Sequence, residues 1–374
     1  MTEKKITLTT IQVFFMVYGT LPVGTIYYPT IINKVSGQSG WLFIIINTIL
    51  VLFFFWFLLK LKEAFPEDNF DSILKNIFGK FIGKVITLSL ILYMVIGCGL
   101  GLRILANGAI VYLLFNTPLW IIIISMLLVV IYTVLKGTRT VVYIQEFLNF
   151  FIAGLMVLMA FLLFPDADFK DLLPIISDKI QPLQAFEVGS EPFILLLVIP
   201  FLFPYFKNTK SMSKGVTLGI IALSINMVLT TIYSIAMFGT TELEFINYPS
   251  IEMTRDFEIP FLERLEIVYM FLWIPIAFLA HIITLYCASI GVKQAFPKTN
   301  YKIITLVFAI IALAISLYPR NMEQMRGILN SFHPIFFSYW FFIFPLMYII
   351  YKLKKGIKKI FQSSNTLYRW KGEK

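Results

Sequence analysis

Charge is scarce in this chain: acidic and basic side chains make up 14% of its 374 residues, and cysteine and histidine occur only twice each. Cys98 and Cys287 both lie inside apolar stretches, which excludes a disulfide framework and leaves them packing roles. His281 and His333 have no neighbours at metal-ligand spacing, so neither a metal nor another cofactor is expected. His281 reads as a packed or hydrogen-bonded helix residue rather than a proton switch. Nucleophile motifs, phosphate-binding loops and paired catalytic carboxylates are also missing, which argues against an enzyme.

Apolar surface is abundant instead. Hydrophobic residues make up 59% of the chain and 38 of them are phenylalanine, more than a soluble core can use. About 20 apolar residues cross the hydrocarbon layer. Ten such stretches are predicted, at roughly 8–33, 41–60, 84–114, 118–136, 140–164, 178–206, 215–239, 262–292, 302–318 and 333–351. The expected fold is an all-α integral membrane protein with about ten transmembrane helices. Met1-Thr2-Glu3-Lys4-Lys5 leads into a segment with no small-residue cleavage site, so the first helix is expected to be a retained span.

The net charge of +10 is informative through its placement. With both termini in the cytoplasm, 23 lysines and arginines fall on that side, against seven outside: Lys34, Lys170, Lys179, Arg255, Arg264, Arg320 and Arg326. The basic tail, 352–374, carries Lys352, Lys354, Lys355, Lys358 and Lys359 where anionic lipid would attract it. Nucleic acid is not an expected partner.

The first segment contains Gly19-Thr20-Leu21-Pro22-Val23-Gly24-Thr25, a run of helix breakers where a spanning helix should be most regular. Unwound backbone is tolerated there only if it is buried in protein or lines a polar cavity. Ten spans with cytoplasmic termini permit an inverted 5+5 repeat within one bundle over 1–351, the first repeat at about 6–164 and the second at about 178–351. Helices 1 and 6 then correspond, and both are expected to be broken. The sixth segment offers Glu187-Val188-Gly189-Ser190-Glu191-Pro192, with a rival interruption at Pro200 and Pro204. From Pro192 to Lys207 is about 22 Å at 1.5 Å per residue, enough to reach the cytoplasm from mid-membrane, which favours the earlier break. Half-helix ends expose N–H groups that suit a carboxylate and carbonyls that suit an ammonium, so a small amino acid or similar polar solute fits.

Further polar features lie on the other segments. Gly97 and Gly101 give the third a smooth face, either for helix crossing or as a pocket wall. Arg103, inside the same apolar segment, must face the bundle, and Glu146 is a candidate partner for a structural or coupling ion pair. Tyr143, Glu146 and Asn149 fall near one face of the fifth segment at helical spacing, where a polar stripe could replace a bound Na⁺ or carry a proton. Pro249 to Arg255 reads as a short amphipathic helix with Ser250 as its N-cap, a candidate lid over the outer vestibule.

The chain resembles the B subunit of spore germinant receptors. The resemblance rests on Gly24-Thr25-Ile26 with Pro29, Asn116-Thr117-Pro118, Lys136-Gly137-Thr138-Arg139 with Glu146, Tyr248-Pro249-Ser250-Ile251-Glu252, Glu263-Arg264-Leu265-Glu266, Trp273 and Tyr286. It runs from about residue 6 to about residue 350, with departures at Tyr143, Ser190 and Glu266. It implies the amino acid/polyamine/organocation transporter fold, a place in the inner membrane of a bacterial endospore, and an A subunit and a lipoprotein C subunit as partners. The implied function is to sense a nutrient and signal germination, with a proton-coupled secondary amino acid transporter as the alternative. The implied ligand site takes Gly19, Thr20, Pro22, Gly24 and Thr25 of the first break, Gly97 and Gly101, Gly189, Ser190 and Glu191 of the sixth segment, and Thr284.

Overall fold

The computed structural model describes residues 6–20, 25–255, 265–331 and 333–356. Among these the chain is helical throughout, and its one β contact is an isolated bridge between Leu8 and Phe206. The first span is two short helices, α1 (Thr10–Tyr18) and α2 (Tyr28–Ser36). Four long or short helices follow: α3 (Gly40–Ala64), α4 (Phe70–Phe78), α5 (Lys80–Tyr112) and α6 (Leu119–Leu135), and then α7 (Thr138–Leu163). The sixth span is α8 (Pro182–Gly189) joined to a 3-10 helix, Glu191–Tyr205. Beyond it come α9 (Thr209–Leu243), α10 (Pro249–Arg255), α11 (Leu265–Ala295), α12 (Tyr301–Leu317), α13 (Met322–Asn330) and α14 (His333–Phe337), the last running on through a π-helical turn.

Helices therefore occupy each of the ten predicted segments, and the first and sixth are interrupted as expected. Among the described residues, six helical stretches are long and apolar enough to cross a membrane unaided. The pair Pro182–Gly189 and Glu191–Tyr205 makes a seventh, bent by 45°. The bend falls at Ser190, so the earlier of the two candidate breaks is the one present; Pro200 and Pro204 are absorbed within the 3-10 helix. Large apolar side chains such as Phe81, Phe150, Phe161 and Ile310 point out of the bundle, where lipid would cover them.

Small residues set how closely the spans approach. A Cβ added at Gly215 or Gly219 of α9 would stand 2.7 Å from Val13 or Val17 of α1, so those glycines let the two backbones meet. Centrally, α5 packs along α11. Arg103 of α5 donates from Nη1 to the Ser316 carbonyl at 3.1 Å, while Glu146 accepts from Gln12 Nε2 at 3.4 Å. The expected Arg103–Glu146 pair is thus not formed, because each side chain meets a nearer group on another element.

At the end of the bundle that holds Leu8, the segment leading into α1 meets the end of the sixth span. Leu8 N–H donates to the Tyr205 carbonyl at 2.7 Å, and the Phe70 ring of α4 packs edge-on to Phe201, Phe203 and Phe344. Beneath them, buried Asp71 accepts from Thr87 Oγ1 at 3.1 Å and is paired with Lys75 and Lys84. The hydrogen bond to Asp71 raises the pKa of Lys75 above its usual value, which keeps this lysine charged.

At the opposite end, α10 clamps the second half of the first span. Ser250 Oγ donates to the Thr25 carbonyl at 2.6 Å, and Thr30 Oγ1 donates to the Ile246 carbonyl at 2.5 Å. Tyr112 OH reaches Glu252 Oε1 at 2.7 Å. The short helix expected at Pro249–Arg255 is present, but Ser250 lies within it and ties it to the first break instead of capping it.

Candidate ligand-binding site

Helix α1 ends where Gly19 and Thr20 follow it. Gly19 N–H reaches the Phe15 carbonyl at 2.8 Å, and the Thr20 hydroxyl turns back to the Val17 carbonyl at 2.7 Å. Helix α8 ends similarly, with Ser190 Oγ donating to the Glu187 carbonyl at 2.6 Å. The side-chain hydroxyls thus add a second hydrogen bond to carbonyls that already accept from a backbone N–H, Val17 from Thr20 and Glu187 from Ser190, and so reinforce both helix ends. Tyr27, just beyond the first break, donates its hydroxyl hydrogen to Glu191 Oε1 at 2.5 Å, joining one break to the other.

A cavity lies where the breaks meet α5 and α11. Its walls are Thr20, Tyr27 and Tyr28 from the first span, Tyr93, Gly97, Leu100, Gly101 and Ile104 from α5, Glu191, Pro192, Ile194 and Leu195 from the sixth, Met227, His281 and Leu329. It holds only about 50 Å³ of open space, so a nutrient-sized solute requires the walls to part. Two fully buried polar atoms of its lining, Tyr28 OH and His281 Nε2, have no hydrogen-bond partner among the described residues. A buried polar group left unmatched is costly, and a polar solute in the cavity would offer the missing partner.

Above it, at the end of the bundle opposite Leu8 and Tyr205, a vestibule of about 420 Å³ is lined by Lys34, Gln184, Glu187, Glu191, Arg326 and Leu329, among others. Glu191 and Leu329 belong to both spaces and so form the partition between them.

Of the site residues expected from sequence, Thr20, Gly97, Gly101 and Glu191 line the inner cavity. Gly101 is pressed against His281: a Cβ there would lie 2.5 Å from its Cε1. Gly97 is roomier, with Leu195 Cδ2 at 3.6 Å. Pro22 and Gly24 lie outside the described residues. Gly19 packs against α7, where a Cβ would overlap Gln145 Oε1, and Gly189 faces Asn47 and Phe43 of α3. Thr25 lines a separate small cavity with Ser250 and Tyr269. Thr284 is buried one turn from His281 and bonds to the Ala280 carbonyl.

The polar stripe of α7 is real but rotated from its expected position. Tyr143 is exposed, whereas Gln145 and Asn149 are fully buried. Asn149 Nδ2 donates to the Phe15 carbonyl at 3.0 Å and Gln145 Nε2 to the Leu279 carbonyl at 2.8 Å. Amide donors thus hold the carbonyls of α1 and α11. Among the described residues no group of three or more His, Cys, Asp or Glu side chains could hold a metal ion.

Tyr27, Tyr28, Tyr93 and Leu329 are wall residues that the sequence reading does not single out, and His281, read there as a packed helix residue, is a wall residue as well. The tyrosine pair follows directly on the Gly19–Thr25 run, and that adjacency was the available signal.

The sequence model described as "Spore germination protein" matches residues 7–325. The chain is 25% identical over 317 residues to spore germination protein YndE of Bacillus subtilis (strain 168), covering 82% of this chain and 85% of that one. It is 24% identical over 368 residues to spore germination protein B2 of the same organism, covering 93% and 97%. Among solved structures it resembles MHP1, a nucleobase-cation-symport-1 family transporter in a closed conformation with bromovinylhydantoin bound: TM-score 0.65, 15% identity, 91% of this chain and 79% of that one. A substrate-bound outward-open state of a Na⁺-coupled sialic acid symporter gives 0.64 at 12% identity, covering 90% and 79%. These two structures establish the shared transporter fold.

Proposed function

Because the chain belongs to the spore germination protein family, a family of multi-pass membrane proteins with a transporter fold, we propose that it is the nutrient-sensing membrane subunit of a germinant receptor. It binds a small solute, such as an amino acid, between the two helix breaks and signals to an A subunit and a lipoprotein C subunit. It resides in the inner membrane of the endospore with both termini in the cytoplasm, so that the vestibule faces outward and the Leu8–Tyr205 end faces in.

One observation carries this reading: the cavity at the meeting of the breaks keeps two buried polar groups with no partner among the described residues, directly beneath an open vestibule. A solute entering from outside supplies those partners and favours the state that closes around it. Its differential affinity for the two states is what shifts the partner subunits.

Reconstitution in liposomes tests the reading against transport, which the fold shared with symporters favours. A sensor binds its nutrient saturably and takes up none of it under a proton gradient. Saturable, gradient-driven uptake by the chain alone would make it a secondary transporter instead.

A further inference from the structure

We infer that the lipid-facing groove between α7 and α9 seats a membrane-spanning helix of a partner subunit, one that presents a serine or threonine hydroxyl at mid-membrane. The inference rests on the reading of the chain as a receptor subunit and gives that assembly a contact surface. The groove holds about 740 Å³ of open space. Its sides are Ala153, Val157 and Phe161 of α7 and Ala222, Ile225 and Leu229 of α9, and its floor is the buried pair Tyr18 and Asn226. Only 20% of the most apolar stretch of α7 is buried in the bundle, the least of the six long spans, against 56–62% for α5, α9 and α11. The chain itself therefore leaves this face of α7 uncovered.

Lipid tails would suffice as cover if the groove were apolar throughout, but its floor is polar. Asn226 Nδ2 donates to the Tyr18 hydroxyl oxygen at 3.0 Å, while Asn226 Oδ1 is buried with no partner among the described residues. The Tyr18 hydroxyl hydrogen has no acceptor among them either. A hydroxyl both donates and accepts, so a single one completes the pair, and an acyl chain does neither. An unmatched amide oxygen surrounded by hydrocarbon is costly, which favours an occupant that brings a hydroxyl to this depth.

Depth selects the kind of occupant. Asn226 lies near the middle of α9, and Tyr18 is the last residue of α1, just before the first break. The polar groups of a lipid stay at the interface, whereas a spanning helix pairs its backbone internally and carries a side-chain hydroxyl to mid-membrane. From Ala153 to Pro165 the groove follows α7 for about 18 Å, some three helical turns. The small side chains Ala153 and Ala222 allow a helix to approach closely. Met227 and Thr20, beside the two floor residues in sequence, line the inner cavity. A helix in the groove thus lies behind the wall that must part for a solute.

The test is photocrosslinking in membranes from cells that express the full chain with separately tagged A and C subunits. A benzophenone amino acid replaces Val157, or Ile310 on the exposed face of α12 as a control. Val157 should crosslink to a tagged partner within a membrane-spanning segment, and Ile310 should not. Asn226→Leu removes the unmatched oxygen at similar size and should lower the yield about threefold, the effect of one interhelical hydrogen bond in a membrane. Ala222→Trp fills the groove and should abolish the crosslink. Copurification of the subunits reports assembly independently. In an assembled receptor, adducts of Val157 with a second copy of this chain or with lipid alone overturn the inference and leave the receptor reading intact. Equal crosslinking from Ile310, or an undiminished crosslink in folded A222W, does the same. Failure of the wild-type chain to copurify with either subunit counts against both. Should N226L fail to fold, A222W and the control position decide the matter.

Discussion

Tyr27 and Glu191 meet through a 2.5 Å hydrogen bond across 164 residues of sequence, and this contact links the interruption of the first span to that of the sixth. Replacing Tyr27 with Phe removes the donor and leaves a buried carboxylate one partner short. Hydrogen bonds to charged groups contribute about 1.5–3 kcal/mol. Tyr27→Phe should lower thermal stability in detergent and broaden the response to nutrient, and an unchanged melting temperature would show that the two breaks are not coupled through this pair.

Gly97 and Gly101 occupy the same face of α5 and should respond differently to alanine. At Gly101 the new methyl meets the ring of buried His281, and overpacking of this kind costs about 1–3 kcal/mol. At Gly97 the nearest atom is at an ordinary contact distance, so Gly97→Ala should fold normally while taking space from the cavity. Thermal unfolding and nutrient binding measured together should separate the two: stability falls in G101A, affinity alone falls in G97A.

Gly19→Ala is expected to destabilise the protein through α7, not through the ligand, because its methyl collides with Gln145. Gln145→Ala in the same chain should recover part of the loss, since it removes the obstructing amide. A stable, nutrient-blind G19A would instead put Gly19 on the cavity wall.

Asp71 is buried at the Leu8–Tyr205 end of the bundle with Thr87, Lys75 and Lys84 around it. Asp71→Ala removes the carboxylate that pairs with Lys75 and Lys84, while Thr87 and Lys84 keep the Gly83 and Ala295 carbonyls, and should cost about 1–3 kcal/mol, read as a lower melting temperature at neutral pH. The raised pKa of Lys75 fixes the sign: its contribution is complete below the ordinary lysine range and is lost only as pH rises through the raised value. On the alkaline side, the part of the wild-type advantage over D71A that comes from Lys75 should therefore persist through the ordinary lysine range and disappear only above it.

Single cysteines test the orientation, since both native thiols, Cys98 and Cys287, are buried. In intact protoplasts a membrane-impermeant maleimide should label Arg326→Cys in the vestibule and should label Lys207→Cys only after permeabilisation. The reverse pattern would invert the topology.

Much of this architecture is legible in the sequence because glycine and proline act locally. The Gly19–Thr25 run and Pro192 mark both breaks, and the length from Pro192 to Lys207 selects the bend now seen at Ser190. Helix rotation is what the sequence conceals. In a bilayer a helix is apolar on its lipid face as well as its packed face, so hydropathy does not tell one from the other. That is why Gly19 and Gly189 prove to face neighbouring helices, and why Gln145 and Asn149, not Tyr143, form the buried stripe of α7. Arg103 illustrates a second limit: its partner is a backbone carbonyl, at Ser316, and carbonyls have no sequence signature.

The most direct test is equilibrium binding of a broad nutrient panel to the purified chain, wild type beside Gly97→Leu, with matched unfolding curves to show that both are folded. If the cavity between the breaks is the nutrient site, at least one solute binds the wild type saturably and Gly97→Leu, equally stable, loses it. Retained affinity in the folded variant would contradict that placement.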